Sequence, residues 1–232
     1  MISDYEVDNP IANYLRYPCN HKASLFYKNS VCLTSSSCEN LRIIWQRDLE
    51  CDIDQDTWEH ILADNGKYIK EIRCKFIQYK ILHRFYWTPC RLFRMGLMNN
   101  DIFWKCKKET GTFLHLIWDC GMVKPFWCKI LKFLETWTTI NLPICPHLCL
   151  LGDKTVIPQL TKDAHTVLIV GITSAARIIL RHWKSPENPT FQEWKVLMTE
   201  TVSYEVMLTR IRGKRPGVLS CWDFFGEYLT SN

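Results

Sequence analysis

Apolar side chains recur at spacings of three and four residues along much of this chain, and no segment alternates convincingly with period two. The clearest stretch is 161–183, where Leu168, Ile172 and Ile179 fall on one helical face. Such spacing gives each helix one apolar stripe that must pack against a neighbour. The pattern predicts an all-α fold, an irregular helical bundle.

Helix boundary signals divide this pattern into elements. Asp54, Thr88-Pro89 and the capping box Thr190-x-x-Glu193 predict helix starts, and Gly213 predicts the end of a helix that begins near Thr190. Further helices are predicted over 123–137, 161–183 and 221–229. The signals divide the chain into an irregular arm (1–35), a basic helical region (36–140), a linker (141–160) and a C-terminal helical layer (161–232).

One long helix is predicted within the basic region, from Lys67 to Tyr86. Its apolar residues fall on two stripes, which predicts contact with two neighbouring helices. His83 continues the first stripe and is predicted to be a packed core histidine. The stripes are Ile69, Ile72, Phe76 and Tyr79, and Ile77, Ile81 and Phe85.

Composition favours a folded protein. Hydrophobic residues make up 47% of 232 residues, with 9 Gly and 10 Pro, which argues against disorder. The first residues lack the basic-then-apolar order of a secretory signal, and the apolar run 167–176 is too short to cross a bilayer. These features predict a soluble intracellular protein, cytoplasmic or nuclear, with its 12 cysteines as thiols.

Charge is distributed unevenly along the chain. Residues 67–108 carry eleven Lys or Arg against two acidic residues, a local charge of +9 in a chain whose net charge is +5. Residues 1–66 carry five basic against eleven acidic residues. A basic middle segment is typical of a surface that meets a polyanion, most often nucleic acid, although a solvated basic helix gives the same pattern.

A Cys/His array lies just after the basic helix. Cys106, His115 and Cys120 are spaced as C-x8-H-x4-C, and Phe103 stands where one more thiolate, the fourth ligand, would complete a zinc knuckle. Structural zinc takes four N or S ligands in a tetrahedron, so three local ligands leave one position open. The array predicts a small knuckle-like loop over 103–120, inserted between helices.

Common catalytic signatures are missing from the sequence. It contains no G-x-S-x-G, H-E-x-x-H, P-loop or dinucleotide-binding motif, and no paired aspartates of the polymerase type. We therefore expect a protein that is not an enzyme.

Several motifs, in order and spacing, resemble the C-terminal region of the reverse-transcriptase polyprotein, the second open reading frame, of LINE-type non-LTR retrotransposons. The motifs are QYKILHRFYWTPCRLFRMGL (78–97), FWKCKKETGTFLHLIWDC (103–120), PFW (125–127), CLLGD (149–153) and WKSP (183–186). The resemblance covers roughly residues 40–215. It implies a nucleic-acid-binding tail without the family's endonuclease and polymerase domains.

The same resemblance implies a zinc knuckle whose last three ligands are Cys106, His115 and Cys120, with Phe103 at the first ligand position. Two alternatives follow. Water or a thiol such as Cys90 or Cys128 fills the open position of a bound zinc ion, or the loop folds without metal. In the second case the packing comes from its aromatic residues: Phe103, Trp104, Phe113, Trp118 and Trp127.

Our first functional hypothesis is a non-catalytic module that binds RNA or single-stranded nucleic acid through phosphate contacts. Arg73, Lys80 and Arg84 align along the predicted helix and could follow a phosphate backbone. Phe85, Tyr86 and Trp87 could stack bases or belong to the core. The predicted cations are Lys70, Arg73, Lys80, Arg84, Arg91, Arg94, Lys105, Lys107 and Lys108.

Two other hypotheses remain open from the sequence. The stripe over 194–211, which includes Trp194 and Tyr204, has the spacing of a coiled-coil seam and could form a helical protein–protein interaction module. A decayed transposon remnant without a selected function would also lack a zinc ligand and a polymerase.

Overall fold

The computed structural model describes residues 39–64, 67–211 and 216–231, so the arm predicted for 1–35 lies outside the described residues. The all-α prediction is confirmed for the described part, which contains helices, turns and an isolated β-bridge between Ile102 and Thr110. The helices are α1 (39–49), α2 (Gln55–Asp64), α3 (Ile72–Leu82), α4 (Pro89–Arg94), α5 (Lys124–Thr138), α6 (Lys162–His182), α7 (Phe191–Ile211) and α8 (Pro216–Ser231).

Two compact units divide the chain, residues 1–53 and residues 54–232. In the described part of the first unit, the Arg42 side chain joins the start of α1 to the segment that follows it. Its guanidinium binds the Glu39 carboxylate and donates to the carbonyl of Ile53 at 2.7 Å. These bonds fix the turn after α1.

Helix starts in the second unit follow the predicted capping residues. Asp54 accepts from the backbone N–H of Thr57, and Thr88 accepts from that of Arg91, with Pro89 in the first turn of α4. At α7 the Thr190 and Glu193 side chains form the reciprocal capping box. Each cap satisfies backbone N–H groups that have no partner inside the helix, which is why these starts are predictable from sequence.

The second unit is built around α6, which contacts α3, α5, α7 and α8. Gly171 lies where α6 contacts both α5 and α7. A Cβ at this position would lie 3.4 Å from the Leu134 side chain and 3.6 Å from Trp194, whose indole donates to the Gly171 carbonyl at 2.9 Å. α6 therefore forms the central helix of the bundle.

α6 is also long and apolar enough to cross a membrane by length and composition, and among the described residues it is the only such helix. Its most apolar 18-residue window is 72% buried inside the protein. That burial is typical of the core helix of a soluble protein.

The segment predicted as a linker, 141–160, is instead part of the core. A π-helical turn, His147–Leu151, buries Leu148 and Leu150 and contacts α3 and α6. Gln78 on α3 donates to the carbonyl of Leu150 at 3.4 Å, and its amide oxygen accepts from Thr173 of α6 at 3.1 Å. This hydrogen-bonded Gln78 joins three elements, so residues 54–232 form one unit across the predicted linker.

α3 is shorter than predicted, because the helix expected over 67–86 spans only Ile72–Leu82. Just before α3, Glu71 has an extended backbone. Just after α3, Arg84 has a left-handed φ of 55°, and the N–H of Phe85 donates to the carbonyl of Lys80 at 2.8 Å. This hydrogen bond belongs to a Schellman motif, which usually has Gly where this chain has Arg84. The helix end was therefore not visible in the sequence.

The apolar stripes predicted on α3 are only partly buried: Ile69, just before the helix, and Ile81 are buried as predicted. Ile72 is 78% exposed, Phe76 is 55% exposed and Tyr79 is exposed as well. Cys74, Gln78, Ile81 and Leu82 are the buried residues. The polar Gln78 faces the core because the Leu150 carbonyl and the Thr173 hydroxyl offer it partners, which periodicity cannot reveal.

The stripe predicted as a possible pairing seam on α7 is split. Trp194, Leu197 and Thr201 are buried in the second unit, whereas Tyr204 and Ile211 are exposed. The last helix, predicted over 221–229, is longer and spans Pro216–Ser231.

Candidate metal cluster and exposed aromatic–basic surface

The three residues of the Cys/His array come together in space. Their ligand atoms lie within 4.8 Å of one another, and the Cys106 thiol lies 3.3 Å from Nε2 of His115. His115 begins a π-helical turn (His115–Asp119) and Cys120 ends it. The group could hold a metal ion.

A short hairpin-like turn places Cys106 beside His115. Ile102 and Thr110 pair in the β-bridge, and the N–H of Phe103 donates to the carbonyl of Glu109 at 2.8 Å. Lys107, inside the turn, has a left-handed φ of 53°. This turn folds residues 103–109 back toward the π-helical turn.

The position of the missing ligand is filled by a buried ring. Phe103 is fully buried and meets His115 edge to face, with ring centroids 5.4 Å apart. On the other side of the imidazole, a Glu109 carboxylate oxygen lies 3.2 Å from Nδ1. A carboxylate on the second ring nitrogen is the usual way to orient a metal-binding histidine, and here it leaves Nε2 facing Cys106.

Neither predicted substitute for the missing ligand joins this group. Among the described residues, Cys90 and Cys128 are not part of the cluster. Burial raises the pKa of the Cys120 thiol, and the charges of Cys106 and Glu109 raise it further. Within the described part of the chain, the cluster therefore consists of three ligands and a carboxylate that orients one of them.

The nine predicted cations fall into two groups. Arg73, Lys80, Arg91, Arg94, Lys107 and Lys108 are exposed or half-buried and reach solvent. The other three are held by the fold. Lys70 pairs with the buried Glu205 at 2.7 Å, the Arg84 guanidinium lies over the Phe113 ring at 5.1 Å, and Lys105 donates to the carbonyl of Glu187.

The predicted alignment of Arg73, Lys80 and Arg84 is interrupted by the end of α3. Arg84 lies in the turn beyond the helix and faces the knuckle loop, so the three cations do not form one helical row. Of the three cations in the predicted row, only Arg73 and Lys80 lie on α3.

Exposed aromatic rings accompany these cations, and most of these rings were not predicted from the sequence to be exposed. Tyr79 stacks against His83 with centroids 4.2 Å apart, and Phe85, 60% exposed, lies 6.4 Å from Tyr79 in a parallel arrangement. Lys80 lies 4.3 Å from the centre of the Phe76 ring. His83 is therefore half-buried in this ring cluster, and burial lowers its pKa.

A second exposed group follows at α4. The Arg91 guanidinium lies 4.7 Å from the centre of the exposed Trp87 ring, and Phe93 and Arg94 are exposed beside it in sequence. Residues 73–94 thus present two groups in which rings and cations are mixed. We call them together the aromatic–basic surface: Arg73, Phe76, Tyr79, Lys80, His83, Phe85, Trp87, Arg91, Phe93 and Arg94.

Comparison with models of known protein families finds no match for this chain.

Proposed function

We propose that the chain is a non-catalytic module that binds RNA or single-stranded nucleic acid through its aromatic–basic surface. The observation that carries the proposal is the exposure of aromatic rings beside cations on α3 and α4, at Phe76 with Lys80 and at Trp87 with Arg91. Large apolar side chains in solvent are costly unless a partner covers them, so a cluster of them marks an interaction site.

The chemistry of this surface fits unpaired bases. Stacking of an aromatic side chain on a base contributes about 1–3 kcal/mol per base. Lys and Arg side chains neutralise phosphates. Bases in a duplex already stack on one another and are not available to rings such as Tyr79 and Phe85. This argument favours single-stranded regions over duplex.

The sequence resemblance supports the same partner. We propose that the chain derives from the tail of a LINE-type reverse-transcriptase polyprotein, because its motifs follow the order and spacing of that family over roughly residues 40–215. The proposal of a helical interaction module remains the alternative, and exposed Tyr204 and Ile211 on α7 favour it. Binding to nucleic acid distinguishes the two.

The decisive experiment is fluorescence anisotropy with a labelled single-stranded RNA and a matched duplex at several salt concentrations. Replacing Tyr79 and Phe85 by Ala should weaken binding to the single strand by about tenfold or more and leave the salt dependence unchanged. Arg91→Glu with Arg94→Glu should weaken binding to both nucleic acids and reduce the salt dependence.

Lys124→Glu is the matched control, since Lys124 is an exposed lysine at the start of α5, outside the aromatic–basic surface. It changes the net charge in the same direction and should leave affinity nearly unchanged. No binding at about 50 mM salt, or equal losses from the control and the surface variants, would contradict the proposal.

We further propose Zn²⁺ as the ion for the metal cluster, held by Cys106, His115 and Cys120. Two thiols and an imidazole are the ligand types that zinc prefers, and Glu109 on His115 is an appropriate supporting carboxylate. A bound ion would tie the 103–109 turn to the π-helical turn and so stabilise the loop that Arg84 contacts.

Elemental analysis of the purified protein and of a Phe103→Cys variant tests this assignment. The variant adds a third thiol as the fourth ligand and should hold about one zinc more tightly than the parent, with the difference seen in competition with a chelator. Cys120→Ser in the same background should lose the ion. If neither the parent nor Phe103→Cys retains zinc, the cluster is not a zinc site.

A further inference from the structure

A cavity of about 530 Å³ lies at the start of α6, away from the residues of the aromatic–basic surface. Three parts of the chain enclose it: residues 67–68 before α3, residues 154–160 after the π-helical turn, and residues 162–165 of α6. The volume falls within the range of about 300–1,000 Å³ that is typical of small-molecule sites.

One side of this cavity is cationic. Lys67, Lys154 and Lys162 line it, and the nearest acidic partner is Asp64, which binds both Lys67 and Lys154. Each ammonium has three donors, so Lys67 and Lys154 keep donors beyond the bond to Asp64. Against these three positive charges stand Asp64 and, beside Lys162 in the first turn of α6, Asp163, so the surplus is one positive charge, which favours an anion such as a phosphate.

α6 adds its N-terminus to the same side. It is 21 residues long, and Thr161 caps it through a bond from the N–H of Ala164 at 3.3 Å. Free backbone N–H groups and the helix dipole favour an anion at such an end. Lys162, in this first turn, is exposed to solvent.

The lining also holds an unsatisfied polar group, one turn along α6 from Lys162. His165 is only 5% exposed, lines the cavity, and its Nε2 has no hydrogen-bond partner among the described residues. A buried polar atom without a partner costs about 1–3 kcal/mol, so such atoms in folded proteins call for an explanation. A hydroxyl or a ring nitrogen of a ligand in the cavity would supply the missing partner.

The remaining lining is suited to a flat apolar ring. Tyr68 packs edge to face against His165, with centroids 5.0 Å apart, and Ile157, Pro158 and Leu160 complete the wall. A ligand that fits therefore carries a phosphate together with an aromatic ring that has polar edge atoms.

We infer that this cavity binds a nucleoside monophosphate, with its phosphate at Lys154, Lys162 and the start of α6 and its base or ribose at His165 and Tyr68. The same chemistry occurs in a free nucleotide and in the 5′-phosphorylated end of a strand. The site shares no residue with the aromatic–basic surface, so either can exist without the other.

Calorimetric titration of the full chain with adenosine monophosphate, adenosine and inorganic phosphate tests the inference. The monophosphate should bind at least about tenfold more tightly than either part alone, because only it combines the contacts of the lysines with those of His165 and Tyr68. A 5′-phosphorylated oligonucleotide, compared with its 5′-hydroxyl form, distinguishes a strand end from a free nucleotide.

Lys162→Ala should weaken binding of the monophosphate by about tenfold and leave the folded state intact, since its side chain is exposed. The matched control is Lys124→Ala, at the start of α5, which should have no effect. His165→Phe keeps the ring buried and removes the polar atom, so it should weaken both the monophosphate and adenosine.

Three outcomes would overturn the inference. The first is that neither the monophosphate nor the phosphorylated strand binds at about 5 mM. The second is that phosphate and the monophosphate bind with equal affinity. The third is that neither Lys162→Ala nor His165→Phe changes the affinity for the monophosphate. Equal affinity for phosphate would identify an anion site without a place for the base.

Discussion

Single positions decide how the metal cluster is attached to the rest of the protein. Gly111 lies at the end of the hairpin-like turn, and its carbonyl accepts from the N–H of Cys90 in α4 at 3.3 Å. Arg84, in the turn after α3, places its guanidinium over the Phe113 ring. Gly111 and Arg84 therefore help to hold the loop that carries Cys106, together with Lys105, which donates to the Glu187 carbonyl.

Gly111→Ala should destabilise the protein, because a Cβ at this position would lie 2.4 Å from Cγ of Pro89. A proline ring cannot rotate away, so the backbone must shift at a cost of about 1–3 kcal/mol. Chemical denaturation of the variant measures this loss.

Gly121→Ala is the control, since a Cβ there would meet nothing within 4 Å. Its effect should stay within about 0.5 kcal/mol. Equal effects of the two substitutions would show that the contact between Gly111 and Pro89 does not hold the loop.

At the scale of elements, a buried ion pair joins α7 to the chain just before α3. Glu205 is fully buried and accepts from both the backbone N–H and the ammonium of Lys70, which also donates to Thr209 at 2.7 Å. This arrangement explains why residues 67–71 do not continue α3 toward its N-terminus. It also turns a predicted phosphate contact into a structural group.

Lys70→Met should lower the free energy of unfolding by about 3–5 kcal/mol, because it leaves the Glu205 carboxylate buried without its cation. Combining it with Glu205→Leu should recover part of the loss, since the double variant removes both charges. Urea unfolding curves measure each effect.

Lys132→Met provides the comparison, because Lys132 pairs with Glu135 at the surface of α5. An exposed pair contributes at most about 1 kcal/mol. If Lys70→Met cost no more than Lys132→Met, the buried pair would not be needed to hold α7.

For the whole molecule, pH dependence is the clearest electrostatic consequence. Burial and, to a smaller extent, the charge of Lys154 lower the pKa of His165 to about 4, with Asp64 partly offsetting both. The His165 imidazole takes up a proton near pH 6.5 in the unfolded chain, but only near pH 4 in the folded chain. Falling pH therefore favours unfolding across this interval, and the stabilisation is fully present above it.

Stability should fall by roughly 2–3 kcal/mol between pH 7 and pH 4 from this group. His165→Phe should flatten that part of the curve, as measured by urea unfolding at a series of pH values. The other charged groups around His165 are Lys154 and Asp64, which act on its ring, and Lys67 and Lys162, which line the same cavity. An unchanged slope in the variant would contradict this assignment.

The amino-acid sequence by itself determined what depends on near neighbours along the chain. Thr88, Thr190 and Glu193 cap their helices through contacts within three residues, and the spacing of Cys106, His115 and Cys120 is short enough for a local turn to gather them. The all-α class followed from the same local periodicity.

Only the tertiary structure decided which faces are buried and which cations are available. Gln78 is buried and Phe76 exposed because distant partners, at Leu150 and Thr173, satisfy the amide. Lys70 is held by Glu205, 135 residues away. Hydrogen bonds and ion pairs between remote residues leave no periodic trace in a sequence, so the aromatic–basic surface and the cavity at α6 became visible only in three dimensions.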